Sequence, residues 1–302
     1  MGYVLITGAS GQLGQSLSAN ANSSAHSLKL LDRSELDLSD PSSIRNAFHA
    51  REYVGVINTG AYTAVDRAEL EPEKTWAVNA AGPALLAAGC EQRSIPLIQI
   101  STDYVYSGTK DEPYREGDPI GPLSVYGASK AAGEMAVMAS RARAVIARTS
   151  WIVSPFGSNF VKTMLKLGKE RDELRVVSDQ FGAPTSADDL AIALLRIMDR
   201  LITDPSAPTG TYHVTNSGET TWYGVAQEIF ETAILMGQRT PRLVPITTEE
   251  YPMPARRPSN SRLSGERLKA DFGIQLAHWK TSLGPVVRRS IELEASKKRE
   301  IL

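Results

Sequence analysis

Tyr3-Val4-Leu5-Ile6-Thr7-Gly8-Ala9-Ser10-Gly11-Gln12-Leu13-Gly14 decides how the rest of the chain is read. A short apolar run, the pattern of a buried strand, enters a glycine triad and opens into a helix. Each glycine has a physical use: Gly8 permits a tight turn, Gly11 lets the backbone approach a pyrophosphate, and Gly14 lets the helix lie close on the strand. The amides and partial positive charge of the helix N-terminus would then face the anion. Asp32 follows Gly14 at the distance at which an acidic residue holds the adenosine ribose of a dinucleotide, a solvated loop aspartate being the other reading.

Working outward, Leu28 to Asp32, Val54 to Asn58, Leu97 to Ser101 and Ala144 to Arg148 read as further buried strands with helices between them. Almost continuously apolar strands separated by crossover helices predict a parallel sheet covered on both faces, an α/β doubly wound fold. After Arg148 the rhythm changes. Ser154-Pro155-Phe156-Gly157 punctuates the chain, a helix is expected near Asn159 to Lys169 and a strand near Leu174 to Val177. The helical run Ala187 to Leu201 and the strand Gly210 to Thr215 would return to the first sheet; helices at Thr221 to Met236 and Ser282 to Lys298 would build the other lobe. The expected organisation is therefore a dinucleotide-binding domain over 1–150, with about 183–215 returning to it, and a smaller α/β substrate-binding lobe over 151–182 and 216–302.

Composition narrows the function classes. The chain has 302 residues, 42% of them apolar, with a formal net charge of -1, which does not suit a nucleic-acid binder. One cysteine, Cys90, excludes an internal disulfide, and four scattered histidines offer no zinc-ligand spacing. No basic leader precedes the first strand and no ~18-residue apolar run occurs. A cytoplasmic protein without membrane contact is expected.

Tyr126 and Lys130, four apart at the start of the helical stretch Tyr126-Gly127-Ala128-Ser129-Lys130, share one helix face. A tyrosine is a poor acid at neutrality, and a neighbouring ammonium is expected to lower its pKa by stabilising the phenolate. The pair follows the fourth strand, which ends in Ser101-Thr102-Asp103-Tyr104-Val105-Tyr106 and would put the Thr102 hydroxyl at the carboxyl edge of the sheet, where doubly wound folds bind ligands. Cys90, inside the helical run Ala80 to Gln92, is a core candidate.

Gly8/Gly11/Gly14, Thr102, Tyr126 and Lys130 together resemble the extended short-chain dehydrogenase/reductases, a Rossmann-type superfamily in which hydroxyl, Tyr and Lys are the catalytic triad. Longer strings, among them Asn58-Thr59-Gly60-Ala61-Tyr62-Thr63, Arg148-Thr149-Ser150-Trp151, Asp179-Gln180-Phe181-Gly182-Ala183-Pro184-Thr185 and Arg256-Arg257-Pro258-Ser259-Asn260-Ser261, are similar to the dTDP-4-dehydrorhamnose reductase family over nearly the whole chain. The resemblance implies an NADPH- or NADH-dependent oxidoreductase that reduces the C4 keto group of a dTDP-linked 4-keto-6-deoxy sugar to dTDP-L-rhamnose. It implies cofactor contacts at Gly8, Gly11, Gln12, Leu13, Gly14, Asp32, Asp37, Leu38, Ala61, Tyr62, Thr63, Tyr126 and Lys130, and sugar-nucleotide contacts at Thr102, Asp103 and Trp151. Arg33 is a candidate for the extra phosphate of NADPH, opposing the charge of Asp32. Arg256 and Arg257 are candidates for the substrate diphosphate, surface solubility being their other reading. Some members of the family place magnesium at a dimer interface through three glutamates; the positions here are Ser16, Asp188 and Glu292, so no required metal is expected and either a monomer or a homodimer fits. A dehydratase would carry a glutamate where Tyr104 stands. A non-catalytic partner subunit, as in the beta subunit of methionine adenosyltransferase, is the rival from another class.

Overall fold

The computed structural model describes residues 2–300, with side chains through 296; position 1 and positions 301–302 of the expected domain ranges lie outside the described residues. The strands are β1 (Tyr3–Thr7), β2 (Ser27–Leu31), β3 (Tyr53–Asn58), β4 (Leu97–Thr102), β5 (Ala144–Thr149), β6 (Ile152–Val153), β7 (Glu173–Val177), β8 (Phe181–Gly182), β9 (Thr185–Ser186), β10 (Gly210–His213), β11 (Thr220–Thr221) and β12 (Arg242–Ile246). The helices are α1 (Gln12–Ala19), α2 (Pro41–Ala50), α3 (Val65–Ala68), α4 (Pro72–Trp76), α5 (Gly82–Arg93), α6 (Val125–Ala139), α7 (Phe160–Glu170), α8 (Ala187–Thr203), α9 (Trp222–Leu235), α10 (Glu266–Phe272) and α11 (Trp279–Glu300).

Six parallel strands form the main sheet in the order β10-β5-β4-β3-β1-β2. The order reverses at β1, with β2 on one side and β3 on the other, and the crevice of such a sheet opens beyond the carboxyl ends of the strands at that point. β4 and β5 are buried along their whole length because helices cover both faces. On one face Leu13 and Leu17 of α1 and Leu190, Leu194 and Met198 of α8 close over Val4, Ile6 and Ile98. On the other, Ile44 and Phe48 of α2, Leu86 and Cys90 of α5 and Val137 of α6 pack against Leu5, Val56 and Ile146. Each fully buried Leu or Ile contributes roughly 2–3 kcal/mol.

A third core, formed by Val161 and Leu165 of α7, Leu174 of β7, Val225 and Ile229 of α9 and Val287 of α11, lies beyond the carboxyl edge of β5. Here β7 pairs with β12, β8 with β11 and β6 with β9. The chain leaves this region through β9, and α8 and β10 rejoin the main sheet beside β5.

Two sequence expectations change in detail. Leu28 to Asp32 was expected to be buried, but β2 is an edge strand with one neighbour, so only Leu31 is buried and Asp32 falls just past the strand. The expected helix from Ala80 begins instead as a π-helical turn over Ala77–Ala81 that continues into α5.

Candidate active site

One cleft of about 700 Å³ runs along the carboxyl edge of the sheet, from the glycine loop across β3, β4 and β5 to the third core. Its floor begins at Gly8, which takes φ +69°, a left-handed value that glycine adopts without strain. A Cβ at Gly14 would stand 2.3 Å from the Gly8 carbonyl oxygen, so α1 reaches this close to the loop only because Gly14 has no side chain. Gly11 caps α1 without a side-chain hydrogen bond, leaving the first amides of the helix open to a ligand. Gly8, Gly11, Gln12, Leu13, Asp37, Leu38, Ala61, Tyr62 and Thr63 all line the cleft. Gly14 acts from behind the loop. Gln12 is also tied sideways: its Oε1 accepts from Ser154 Oγ at 3.1 Å and from Asn159 Nδ2 at 2.9 Å.

Asp32 and Arg33 part company. Asp32 Oδ1 accepts from Ser34 Oγ at 2.7 Å, Ser34 N at 2.8 Å and Glu35 N at 3.3 Å, and the Ser34 hydrogen bonds hold its carboxyl below the usual carboxylate range. It shapes its own turn and is absent from the cleft wall, whereas Arg33 lines the cleft with its guanidinium 3.5 Å from Asp37.

The second half of the cleft gathers Thr102, Asp103, Tyr126, Lys130 and Trp151. Ser124 caps α6 by accepting from Gly127 N, which sets Tyr126 in the first turn and Lys130 one turn on. A Cβ at Gly127 would lie 2.3 Å from the Tyr104 carbonyl, so this turn presses directly on the segment after β4. Lys130 Nζ donates to Ile100 O at 2.6 Å, and burial brings its ammonium down to about 8, Glu134 opposing. Burial pushes the Tyr126 hydroxyl up to about 12, while a hydrogen bond with Thr102 pulls it back. That corrects the expectation of a lowered tyrosine pKa: with the Lys130 donor on a backbone carbonyl, desolvation dominates and Tyr126 is a neutral phenol. Asp103 is fully buried; burial raises its carboxyl to about 6, offset in part by the hydroxyls of Ser261 and Thr102.

Sequence reasoning missed Asn79. Its Nδ2 donates to Tyr62 O at 3.0 Å and Ser129 Oγ at 3.1 Å, and its Oδ1 accepts from Tyr62 N at 2.8 Å. Ser129 Oγ in turn donates to Tyr126 O. Asn79 thus fastens the loop after β3 to the helix that carries Tyr126. The only sequence signal was an amide at an apolar position of a helical pattern; the π-helical turn that aims it inward had none. Trp222, at the first position of α9, also lines the cleft and was missed for the same lack of local signal.

Arg256 and Arg257 lie outside the cleft wall. Arg257 Nη2 meets Asp66 Oδ2 at 2.8 Å, and Ala255 N donates to Asp66 Oδ1 at 3.1 Å, so the guanidinium expected to be free for a diphosphate anchors a strap to α3. Arg256 is exposed. Ser16 is buried, Asp188 accepts from Asn20 at 3.3 Å with Arg289 at 3.9 Å, and Glu292 is exposed on α11. Among the described residues no group of three or more His, Cys, Asp or Glu is arranged to hold a metal ion. Cys90 is fully buried in α5 and burial pushes its thiol up to about 12. No helix among the described residues is long and apolar enough to cross a membrane.

The residues present suit a dinucleotide. The glycine cradle would be filled by any Cβ, the α1 amides are uncapped, and the buried hydroxyls of Ser101 and Thr149, at the cleft ends of β4 and β5, have no hydrogen-bond partner among the described residues. At the cleft edge these two hydroxyls are placed to meet a bound ligand.

Comparison with known proteins agrees with this geometry. The family model of the RmlD substrate binding domain matches residues 1–291. The chain is similar to dTDP-4-dehydrorhamnose reductase of Sinorhizobium fredii (42% identity, over 92% of this chain and 94% of that protein) and of Aggregatibacter actinomycetemcomitans (40%, over 94% and 97%). It also superimposes on the crystal structure of dTDP-4-dehydrorhamnose reductase from Bacillus anthracis in complex with NADP, with a TM-score of 0.87 and 36% identity over 94% of this chain and 98% of that one.

Proposed function

Because the chain belongs to the RmlD substrate binding domain family, the family of the dTDP-4-dehydrorhamnose reductases, we propose that it reduces the C4 carbonyl of dTDP-4-dehydro-6-deoxy-L-mannose to give dTDP-L-rhamnose. The observation that carries this reading is the convergence of Thr102, Tyr126 and Lys130 in the same cleft as the glycine loop. The glycine loop and the walls formed by Leu38, Ala61, Tyr62 and Thr63 would hold NADPH or NADH, which would supply the hydride.

The chain's own residues handle the proton and the charge. Tyr126, kept neutral by burial, gives its hydroxyl proton to the sugar oxygen as that oxygen becomes an alkoxide. The tyrosinate left behind shares the cleft with Lys130, whose ammonium, brought down to about 8, still carries its charge at neutral pH. Thr102 has one hydroxyl proton, and in this structure it points at Asp103; turned into the cleft, it stabilises the same oxygen that Tyr126 protonates. Tyr104 stands where a dehydratase would carry a glutamate, so the carboxylate beside Thr102 is that of Asp103 alone, already engaged by the Thr102 hydroxyl.

The finer readings are that the protein acts in the cytoplasm, as monomer or homodimer, with no required metal; a single cysteine, which suits a reducing compartment, supports the first. The test is to incubate the purified protein with dTDP-4-keto-6-deoxy-L-lyxo-hexose and each reduced cofactor, following nicotinamide absorbance and the sugar product. Stoichiometric loss of absorbance with formation of the C4 alcohol is expected. No turnover with either cofactor would leave the fold as a binding subunit.

A further inference from the structure

Trp151 sits at φ +49°, a left-handed backbone that a bulky side chain rarely adopts and that persists only where the surroundings over-determine it. Three contacts do so. Its ring stacks on Trp222 with centroids 3.8 Å apart and planes 17° from parallel. Gly182 provides the space for the indole, since a Cβ there would come within 2.7 Å of two of its atoms. Its carbonyl accepts from Thr185 N at 3.1 Å. Trp222 is braced in turn by Phe160, 4.6 Å away, and by the Thr221 cap of α9, whose Oγ1 accepts from Gly224 N.

Both indoles line the cleft that also holds Thr102 and Tyr126. We infer that Trp222 is a specificity-determining residue for the sugar: with Gly182 it clamps Trp151 into a flat apolar wall that selects a 6-deoxy sugar over its 6-hydroxy counterpart. The inference rests on the proposed reduction of a nucleotide-linked keto sugar. An indole face favours the CH-rich side of a pyranose and a C6 methyl, and it offers no acceptor to a C6 hydroxyl, which would give up its water without a replacement. A wall of this kind discriminates against an added hydroxyl only modestly, by up to about a hundredfold, and only while it is rigid. The stacked partner and the left-handed backbone supply that rigidity.

The experiment compares the parent with Trp222→Ala, Trp222→Phe and Gly182→Ala, using dTDP-4-keto-6-deoxy-L-lyxo-hexose and its 6-hydroxy analogue. Trp222→Ala is expected to raise the sugar KM by about tenfold, to cut the preference for the 6-deoxy sugar by a similar factor, and to abolish the exciton couplet of the indole pair in circular dichroism. The dissociation constant for NADPH should stay at the parental value, which a general loss of folding would not allow. Trp222→Phe should recover much of the KM, and Gly182→Ala, whose Cβ would press on the Trp151 indole at 2.7 Å, should reproduce the Trp222→Ala pattern. Loss of the couplet with unchanged KM and unchanged sugar preference would overturn the role of Trp222 and leave the reductase reading intact. Absence of parental turnover on either sugar would instead overturn the reductase reading, and this inference with it.

Discussion

The Thr102 hydroxyl donates to Asp103 Oδ1 at 3.0 Å, and both side chains are buried at the end of β4. A threonine that should stabilise an alkoxide is therefore held, at rest, by a carboxylate that burial has made a weaker acid.

That carboxylate is a stability cost at neutral pH. Its rise from 3.8 to about 6 means that the folded state binds more protons than the unfolded one between those values, so the stability it contributes is full below 3.8 and lost as pH rises through about 6. The rise corresponds to roughly 3 kcal/mol. Asp103→Asn should therefore unfold at a higher temperature than the parent at pH 8, with the gain shrinking toward pH 4, while the sugar KM rises because the buried charge next to Thr102 is gone. A variant no more stable at pH 8 than the parent would show that Asp103 is well solvated by partners in the native state.

Tyr126→Phe should keep the fold and cofactor affinity and lower turnover by about two to four orders of magnitude. In the parent, kcat/KM should fall as pH rises through about 8, when Lys130 loses its charge, and Lys130→Met should lose that limb. A Phe variant working near the parental rate would remove Tyr126 as the proton donor.

For cofactor choice, Arg33 lines the cleft while Asp32 spends an oxygen on its own turn. Repulsion from Asp32 and attraction to Arg33 are of similar size, ~1.5 to 3 kcal/mol for a charge-assisted contact. Catalytic efficiencies with NADH and NADPH within about tenfold are expected. Arg33→Ala should depress NADPH use and spare NADH, and added salt should weaken NADPH binding more. A hundredfold parental preference, or an unchanged ratio in the variant, would place the control elsewhere.

Asp66→Asn and Arg257→Ala should raise the sugar KM alike and leave the NADPH KM unchanged, because each releases the 255–257 strap from α3. Measured separately, the two variants separate an anchor from a ligand contact: a large effect of Arg257→Ala beside a harmless Asp66→Asn would mean that Arg257 leaves Asp66 to bind the diphosphate directly.

Exhaustive EDTA treatment should leave activity within error of the untreated protein, since Ser16 offers no carboxylate and Asp188 already faces Asn20 and Arg289. A large loss restored by magnesium would show that Asp188 and Glu292 suffice as ligands.

Periodicity and local chemistry determined much of this protein by themselves. Apolar runs such as Leu97 to Ser101 declare buried parallel strands, the spacing of Gly8, Gly11 and Gly14 declares a phosphate loop, and a separation of four positions puts Tyr126 and Lys130 on one helix face, because these are properties of a single element and its backbone. What depends on groups far apart in the chain was decided only by packing. The pKa of Tyr126 rises because burial outweighs its hydrogen bond with Thr102, while the Lys130 donor lies on Ile100; the Arg257 fork closes on Asp66, 191 positions away; Asn79 turns inward on a π-helical turn; and Trp151, Gly182 and Trp222 meet from three separate segments. Hydrogen bonds and ring contacts act over a few ångströms, so residues that chain distance separates acquire these partners only after the sheet and the third core have brought their segments together.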